Sequence, residues 1–261
     1  MSWKSGFYGR DELRLTGIFH ALGLSNQKLL RKKVGGEFSI LEEILNLEYG
    51  IATHYLWVLG MEQPIDSVYP ILLSCFHKNL FSVFTALDLT ERGFYGSARP
   101  IMRHAFESLI IAKFCSTSTN KELFKKWESG MAIYLSKDVL KKVQHPNLYE
   151  IGRFWGLLCD YTHASTCAQQ VHLGQDEKDL IWNVRLNLVF IKILLECNYH
   201  ILGTHLITPT MKYNENRYGN KRRAEELRKK IYRLFIRSKK GMLKEPRMVI
   251  SNFKRKWSLS C

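Results

Sequence analysis

The stretch that best indicates the fold is GFYGSARPIMRHAFESLIIAKF, residues 93 to 114. Its apolar residues recur at the three- and four-residue spacing of a helix that is buried over most of its surface. Gly93 to Gly96 predicts a turn, and Ser97 a helix N-cap. Pro100 then falls in the first helical turn, where its missing N–H costs nothing. The stretch therefore predicts a core helix, even though it also carries a cluster of ionisable side chains.

Helical spacing continues over most of the chain, which has only 6 prolines and no Asn-Gly or Asp-Gly hairpin signal between alternating strands. Ser39 is the predicted N-cap of one long helix, with Glu42 at the capping-box position. The predicted fold is all-α, an antiparallel helical bundle followed by a basic C-terminal helix and tail. The predicted helices cover about 10–22, 26–33, 39–60, 66–89, 97–115, 120–143, 148–165, 178–206 and 221–240.

Charge divides the chain of 261 residues unevenly. Residues 211–261 hold 17 of the 39 Lys and Arg and 4 of the 24 Asp and Glu, and so account for +13 of the net charge of +15. We predict N-terminal helices in 1–38, the bundle in 39–210 and a basic helix and tail in 211–261. Such a basic segment favours a polyanion, either nucleic acid or an anionic membrane, over a merely solvated tail.

The cysteines and the N-terminus indicate the compartment. The six cysteines form no C-x-x-C pair, and no apolar signal segment is visible at the N-terminus. Both observations favour a reducing cytoplasm. No window of about 20 residues lacks charge, so no transmembrane helix is predicted. Nucleotide-binding and metalloprotease motifs are absent from the sequence, and we predict no metal site and no cofactor.

The ionisable residues of the 93–114 helix fall into a ladder. Arg99, Arg103 and Glu107 follow one another at four-residue steps of about 40° around the axis, with His104 at the edge. In one interpretation, Glu107 simply pairs with Arg103 on a partly exposed face. In the other, the ladder lines a cleft where two guanidiniums grip phosphate and a histidine moves a proton.

A second polar cluster lies in RFWGLLCDYTHAS, residues 153 to 165. Asp160 and His163 are three residues apart and so share a helix face. An aspartate can orient an imidazole and raise its pKa, which suits a general acid or base. The alternative is a surface pair, or a helix C-cap formed by His163. The presence of polar groups among aromatics on both helices favours a functional site.

These two segments resemble the HEPN superfamily of helical-bundle proteins over roughly residues 40 to 206. Arg99 and His104 match its Arg-x4-His spacing, and residues 93 to 107 fit the pattern GxxxxARxxxRxxxE. Pro100 departs from the polar residue that usually follows the arginine. The resemblance implies a homodimer with a cleft across its interface and a role in bacterial defence, toxin–antitoxin or RNA-processing systems.

The resemblance also implies metal-independent RNA cleavage. A base takes the proton of the ribose 2′-OH, which attacks the adjacent phosphate, while an arginine stabilises the phosphorane and an acid protonates the leaving oxygen. Arg99, His104 and His163 are the candidate catalytic residues, and either histidine could be the working one. Arg103, Glu107 and Asp160 are the candidate supporting or anion-binding residues.

The basic segment predicts a second binding surface. Leu227, Ile231, Leu234 and Phe235 form an apolar stripe on which the helix could dock, and the interleaved aromatics, Tyr232 among them, could stack on bases. We rank nucleic acid above membrane for this reason. The candidate nucleic-acid-binding residues are Lys221, Arg222, Arg223, Arg228, Lys229, Lys230, Arg233, Arg237, Lys254, Arg255 and Lys256.

Taken together, the sequence predicts a HEPN-like protein that binds RNA and is a candidate metal-independent endoribonuclease. The alternative is a non-catalytic nucleic-acid-binding or adaptor subunit of a larger defence or mobile-element complex. A membrane-associated effector that uses the basic helix ranks third.

Overall fold

The computed structural model describes residues 15–59, 69–115, 121–141, 148–160, 162, 176–199, 229–230 and 232–234. Within these ranges the backbone is almost entirely helical and contains no strand, which confirms the predicted all-α fold class. None of the helices described there is long and apolar enough to cross a membrane. The elements are α1 Leu15–Leu59, α2 Tyr69–Glu91, α3 Tyr95–Cys115, α4 Lys121–Glu128, a π-helical turn Leu135–Val139, α5 Leu148–Asp160 and α6 Glu177–Asn198.

Helix α1 joins three segments that the sequence predicted as separate helices. Its one non-helical residue is Val34 (φ −136°, ψ 19°), which kinks the helix just before Gly35. Ser39 lies beyond the kink, and its Oγ donates to the Gly35 carbonyl oxygen at 3.0 Å. The prediction that Ser39 is an N-cap is therefore wrong, because the chain is already helical four residues earlier. The domain boundary predicted between residues 38 and 39 falls inside α1, and the division itself stays a prediction.

A glycine ends α2 and sets the angle at which α3 leaves it. Gly93 has a left-handed φ of 79°, its N–H donates to the Thr90 carbonyl oxygen at 3.0 Å, and the N–H of Phe94 donates to the Leu89 carbonyl oxygen at 2.8 Å. These two bonds form the Schellman motif, which closes a helix on a left-handed residue. A Cβ at position 93 would lie 2.6 Å from Nδ2 of Asn26. The turn predicted here is confirmed, although it is shorter than 93–96.

The start of α3 corrects two details of the prediction. The helix begins at Tyr95, so Ser97 lies inside the first turn and is not the N-cap. Pro100 is the sixth residue of the helix and so lies past its first turn. Because proline has no N–H, the Gly96 carbonyl loses its usual donor four residues later. Pro100 therefore costs a helical hydrogen bond, contrary to the expectation from sequence.

The single helix predicted over 120–143 is also wrong. Helix α4 ends at Glu128, Gly130 has φ 74°, and the N–H of Met131 donates to the Lys126 carbonyl oxygen at 3.1 Å. This second Schellman motif turns the chain out of the helix. A π-helical turn follows, closed by the Leu140 N–H on the Leu135 carbonyl oxygen at 2.8 Å.

The remaining helices agree with the prediction except at their ends. α2 matches the predicted 66–89 helix over its described residues. α5 ends at Asp160 rather than at 165. α6 begins at Glu177, where the Asp176 side chain caps the helix by accepting the Asp179 N–H at 2.7 Å.

The core lies where α2 and α3 pack against each other and against α1 and α6. Phe106, Phe154 and Phe190 are fully buried, and they link α3, α5 and α6 through edge-to-face ring contacts of 4.8 and 5.9 Å. Leu234 of the basic segment is buried in the same core. Leu234 belongs to the apolar stripe predicted for that segment, and docking of the whole stripe stays a prediction. These contacts fix α3 between α5 and α6, and so place both of its arginines.

Candidate functional site on the arginine helix

Arg99 lies in the core and not in an open cleft. Its side chain is fully buried, and its guanidinium donates from Nε to Asn187 Oδ1 at 2.9 Å and from Nη2 to Asn183 Oδ1 at 2.8 Å. The guanidinium carbon lies 5.6 Å from the centre of the Tyr95 ring. Since Asn183 and Asn187 both belong to α6, Arg99 ties α3 to that helix.

The amide groups of the two asparagines fix which atoms face Arg99. Asn187 Nδ2 donates to Thr90 Oγ1 at 3.1 Å and to the Tyr95 carbonyl oxygen at 2.9 Å. Asn183 Nδ2 donates to the Asp179 carbonyl oxygen at 3.0 Å. With their donors engaged in this way, both side chains turn their oxygens toward the guanidinium. Burial raises the pKa of Tyr95, and the charge of Arg99 opposes that rise.

Arg103, four residues later, is only partly covered. Its side chain is 26% exposed, and Nε donates to Glu107 Oε1 at 3.0 Å, while Glu107 itself is 24% exposed. Trp155 of α5 donates from Nε1 to the same Glu107 oxygen at 2.7 Å, and its ring centre lies 6.0 Å from the Arg103 guanidinium carbon. The i, i+4 ion pair predicted from the sequence is present, and α5 covers it.

Arg103 also contacts Thr162, which lies in the same stretch of sequence as the second predicted polar cluster. Its Nη1 lies 3.5 Å from Thr162 Oγ1, which in turn donates to the Cys159 carbonyl oxygen at 3.2 Å. Thr162 directly precedes His163, which lies outside the described residues. Burial raises the pKa of the Cys159 thiol, with the Arg103 charge acting against it. The ladder on α3 and the end of α5 therefore share one partly exposed site.

The candidate catalytic and supporting residues do not all lie in one place. His104 is exposed on α3, and Asp160 is exposed at the end of α5. Arg99 faces α6 from inside the core, so the structure does not bring Arg99 and His104 into one pocket. It brings Arg103 and Glu107 together with Trp155 and Thr162. The catalytic assignment of Arg99, His104 and His163 stays a prediction.

The basic segment is described over five residues. Lys229, Lys230 and Arg233 are exposed, and Lys230 Nζ pairs with Glu43 Oε1 of α1 at 2.9 Å. Tyr232, a candidate for base stacking, is exposed as well. The other candidate nucleic-acid-binding residues lie outside the described residues: Lys221, Arg222, Arg223, Arg228, Arg237, Lys254, Arg255 and Lys256.

A second buried polar cluster lies between α1, α2 and α6. Glu48 is fully buried and accepts from Asn198 Nδ2 at 3.2 Å, and Asn79 Nδ2 donates to Asn198 Oδ1 at 3.5 Å. Burial raises the pKa of Glu48 well above its usual range. The hydrogen bond from Asn198 opposes the rise, and the nearby charge of Glu196 adds to it. Burial therefore favours the neutral form of the Glu48 carboxyl group.

The sequence did not predict four of the residues that contact these arginines or their partners as site residues: Asn183, Asn187, Trp155 and Thr162. The asparagines had a visible signal, because they stand four residues apart in the most apolar run of the chain. Polar side chains at that spacing on a buried helix require a polar partner on a neighbouring helix. Trp155 and Thr162 had no such signal, since their roles depend on how α5 packs.

Among the residues that the structure describes, no group of three or more His, Cys, Asp or Glu side chains could hold a metal ion. No family model, curated protein or solved structure matches the chain. The HEPN resemblance thus remains a prediction based on its motifs.

Proposed function

We propose that the protein binds RNA. Arg103 contacts one phosphate, and the basic C-terminal segment contacts the neighbouring phosphates of the same strand. The observation that supports this proposal is the contact between partly exposed Arg103 and Thr162, since Thr162 lies between Asp160 and His163 in the sequence. Exposed Lys229 and Arg233 supply further positive charge. Arg99 takes no part in binding, because its guanidinium is buried against α6.

The setting of Arg103 suits a phosphate. Glu107 and Trp155 hold the guanidinium in place, so less side-chain entropy is lost on binding than for a freely moving surface arginine. The planar guanidinium can donate two parallel hydrogen bonds to phosphate oxygens. A bound phosphate shares this guanidinium with Glu107, which limits the affinity of the single contact. Much of the total affinity must then come from the basic segment.

RNA cleavage is the second candidate, favoured because Thr162, the residue before His163 in the sequence, contacts Arg103. In this mechanism a histidine takes the 2′-OH proton, and the oxygen attacks the adjacent phosphorus. Arg103 stabilises the negative charge on the phosphorane, and a second proton donor releases the 5′-oxygen. His163 and exposed His104 are the candidates for those two proton transfers. DNA is excluded as a substrate because it lacks the 2′-OH.

One experiment separates binding from cleavage. The full chain is incubated with labelled single-stranded RNA in EDTA, and both anisotropy and product length are measured. Arg103→Ala should weaken binding, and His163→Ala or His104→Ala should abolish any cleavage while leaving binding intact. Arg153→Ala is the matched control, since Arg153 is an exposed arginine of α5. Binding without cleavage favours the non-catalytic adaptor, and absence of binding contradicts both functions.

A further inference from the structure

Aromatic side chains lie in water on the outer surface of α1 and α2. This aromatic patch consists of Tyr49, His77, Phe81 and Phe84. Tyr49 is 44% exposed, Phe81 52% and Phe84 58%. Phe81 and Phe84 are three residues apart on α2 and so share a face. Exposed apolar side chains that lie together in this way often mark a site of interaction with another molecule.

Three of the rings are held against one another. Tyr49 stacks on His77 with ring centres 5.7 Å apart and planes 30° apart. Phe81 meets the edges of both, with centres 4.8 Å from His77 and 6.1 Å from Tyr49. These contacts limit the motion of the rings. The rings therefore lose little conformational entropy when a flat partner stacks on them.

The charges around the aromatic patch favour an anionic partner. Lys78 is exposed on α2, three residues before Phe81. Two acidic residues of these helices are already engaged, Glu43 with Lys230 and Asp88 with Arg92. The Lys230 contact also brings the basic segment onto α1 six residues before Tyr49, about 9 Å along the helix axis.

We propose that the aromatic patch stacks on the bases of a single-stranded nucleic acid whose phosphates contact Lys78 and the basic segment. This proposal rests on the proposed function and adds to it the surface that receives the bases. Aromatic rings stack on any base, so the contact gives affinity without sequence preference, about fivefold or more per base. A second copy of the chain fits less well, because each copy carries a net charge of +15 and the two copies repel each other.

The test compares a labelled oligouridine with an abasic oligonucleotide that has the same number of phosphates. Affinity of the full chain for both is measured by anisotropy, with wild type and with a double variant, Phe81→Leu and Phe84→Leu. Leucine keeps the apolar character and removes the ring. Phe19→Leu is the matched control, because Phe19 is an α1 phenylalanine of similar exposure outside the patch. Thermal unfolding followed by circular dichroism verifies that all three proteins are folded.

We expect wild type and the Phe19→Leu control to bind oligouridine more tightly than the abasic strand. The double variant should lose about tenfold or more on oligouridine and nothing on the abasic strand. Equal wild-type affinity for both strands would overturn the stacking surface and leave RNA binding standing. A wild-type dimer that the double variant dissociates, with no base-dependent binding, would assign the patch to a second copy. No binding to either strand would overturn the proposed function itself.

Discussion

Arg99 and Arg103 occupy the same face of one helix, yet their surroundings differ completely. α6 covers Arg99 with two asparagine side chains, and its guanidinium is fully buried. α5 covers Arg103 only in part, through Trp155, and a quarter of the Arg103 side chain stays in solvent. The periodicity of α3 alone makes the two arginines equivalent. The neighbouring helices assign one to the core and the other to a candidate binding site.

Replacing Arg99 should produce the largest loss of stability. Arg99→Ala removes a fully buried side chain and leaves the oxygens of Asn183 and Asn187 without their donors. Each buried acceptor left without a donor costs about 1–3 kcal/mol, so the two together cost about 2–6 kcal/mol. Chemical denaturation should show a loss of that size. A loss below about 1 kcal/mol, as for an exposed arginine, would contradict the core role.

Gly93→Ala should have the next largest effect, because it disturbs the α2–α3 junction that supports Arg99. Thr90 and the Tyr95 carbonyl lie on either side of this turn, and both accept from Asn187. A side chain at φ 79° is strained, and its Cβ would meet Asn26. We expect a loss of about 1–3 kcal/mol by chemical denaturation. Gly130→Ala is the control, since a Cβ at that left-handed glycine contacts nothing. A greater loss at Gly130 than at Gly93 would show that the Asn26 contact is unimportant.

Glu48→Gln should change how stability depends on pH. The pKa of Glu48 is raised in the folded state, so the folded chain binds more protons than the unfolded chain above the ordinary glutamate pKa. Its contribution is then fully present below that pKa and is lost as pH rises through the folded value. Glutamine keeps an acceptor for Asn198 and cannot ionise. Melting temperatures from mildly acidic to alkaline pH should therefore fall less in the variant. A parallel decline in both proteins would contradict a raised pKa of Glu48.

Arg103→Ala should have the smallest effect on stability, below about 1 kcal/mol, because its ion pair with Glu107 is partly solvated. The same variant should weaken RNA binding, whereas Arg99→Lys, which keeps a buried charge, should alter stability more than affinity. Chemical denaturation and anisotropy on the same preparations provide both readouts. If Arg103→Ala loses as much stability as Arg99→Ala, Arg103 has a structural role like that of Arg99, and the prediction is contradicted.

The sequence was sufficient for the all-α class, and one of its two interpretations of the ladder paired Arg103 with Glu107, because both depend on spacing along one helix. It could not locate the kink at Val34, since Ser39 and Glu42 gave a stronger local signal for a helix start. It predicted the start of α3 two residues too late, and so placed Ser97 and Pro100 too close to the N-terminus of the helix. The reason is that Gly93 alone makes the turn after α2. Arg99 and Arg103 could not be told apart, since their burial depends on α6 and α5.

The central claim is that Arg103, and not Arg99, contacts RNA phosphate. The most direct test is the salt dependence of RNA affinity for wild type, Arg103→Ala and the control Arg153→Ala. Removal of one phosphate contact should reduce the slope of log affinity against log salt by about 0.7–1. We predict that reduction for Arg103→Ala and an unchanged slope for Arg153→Ala. An unchanged slope in Arg103→Ala, with wild-type binding intact, would contradict the claim.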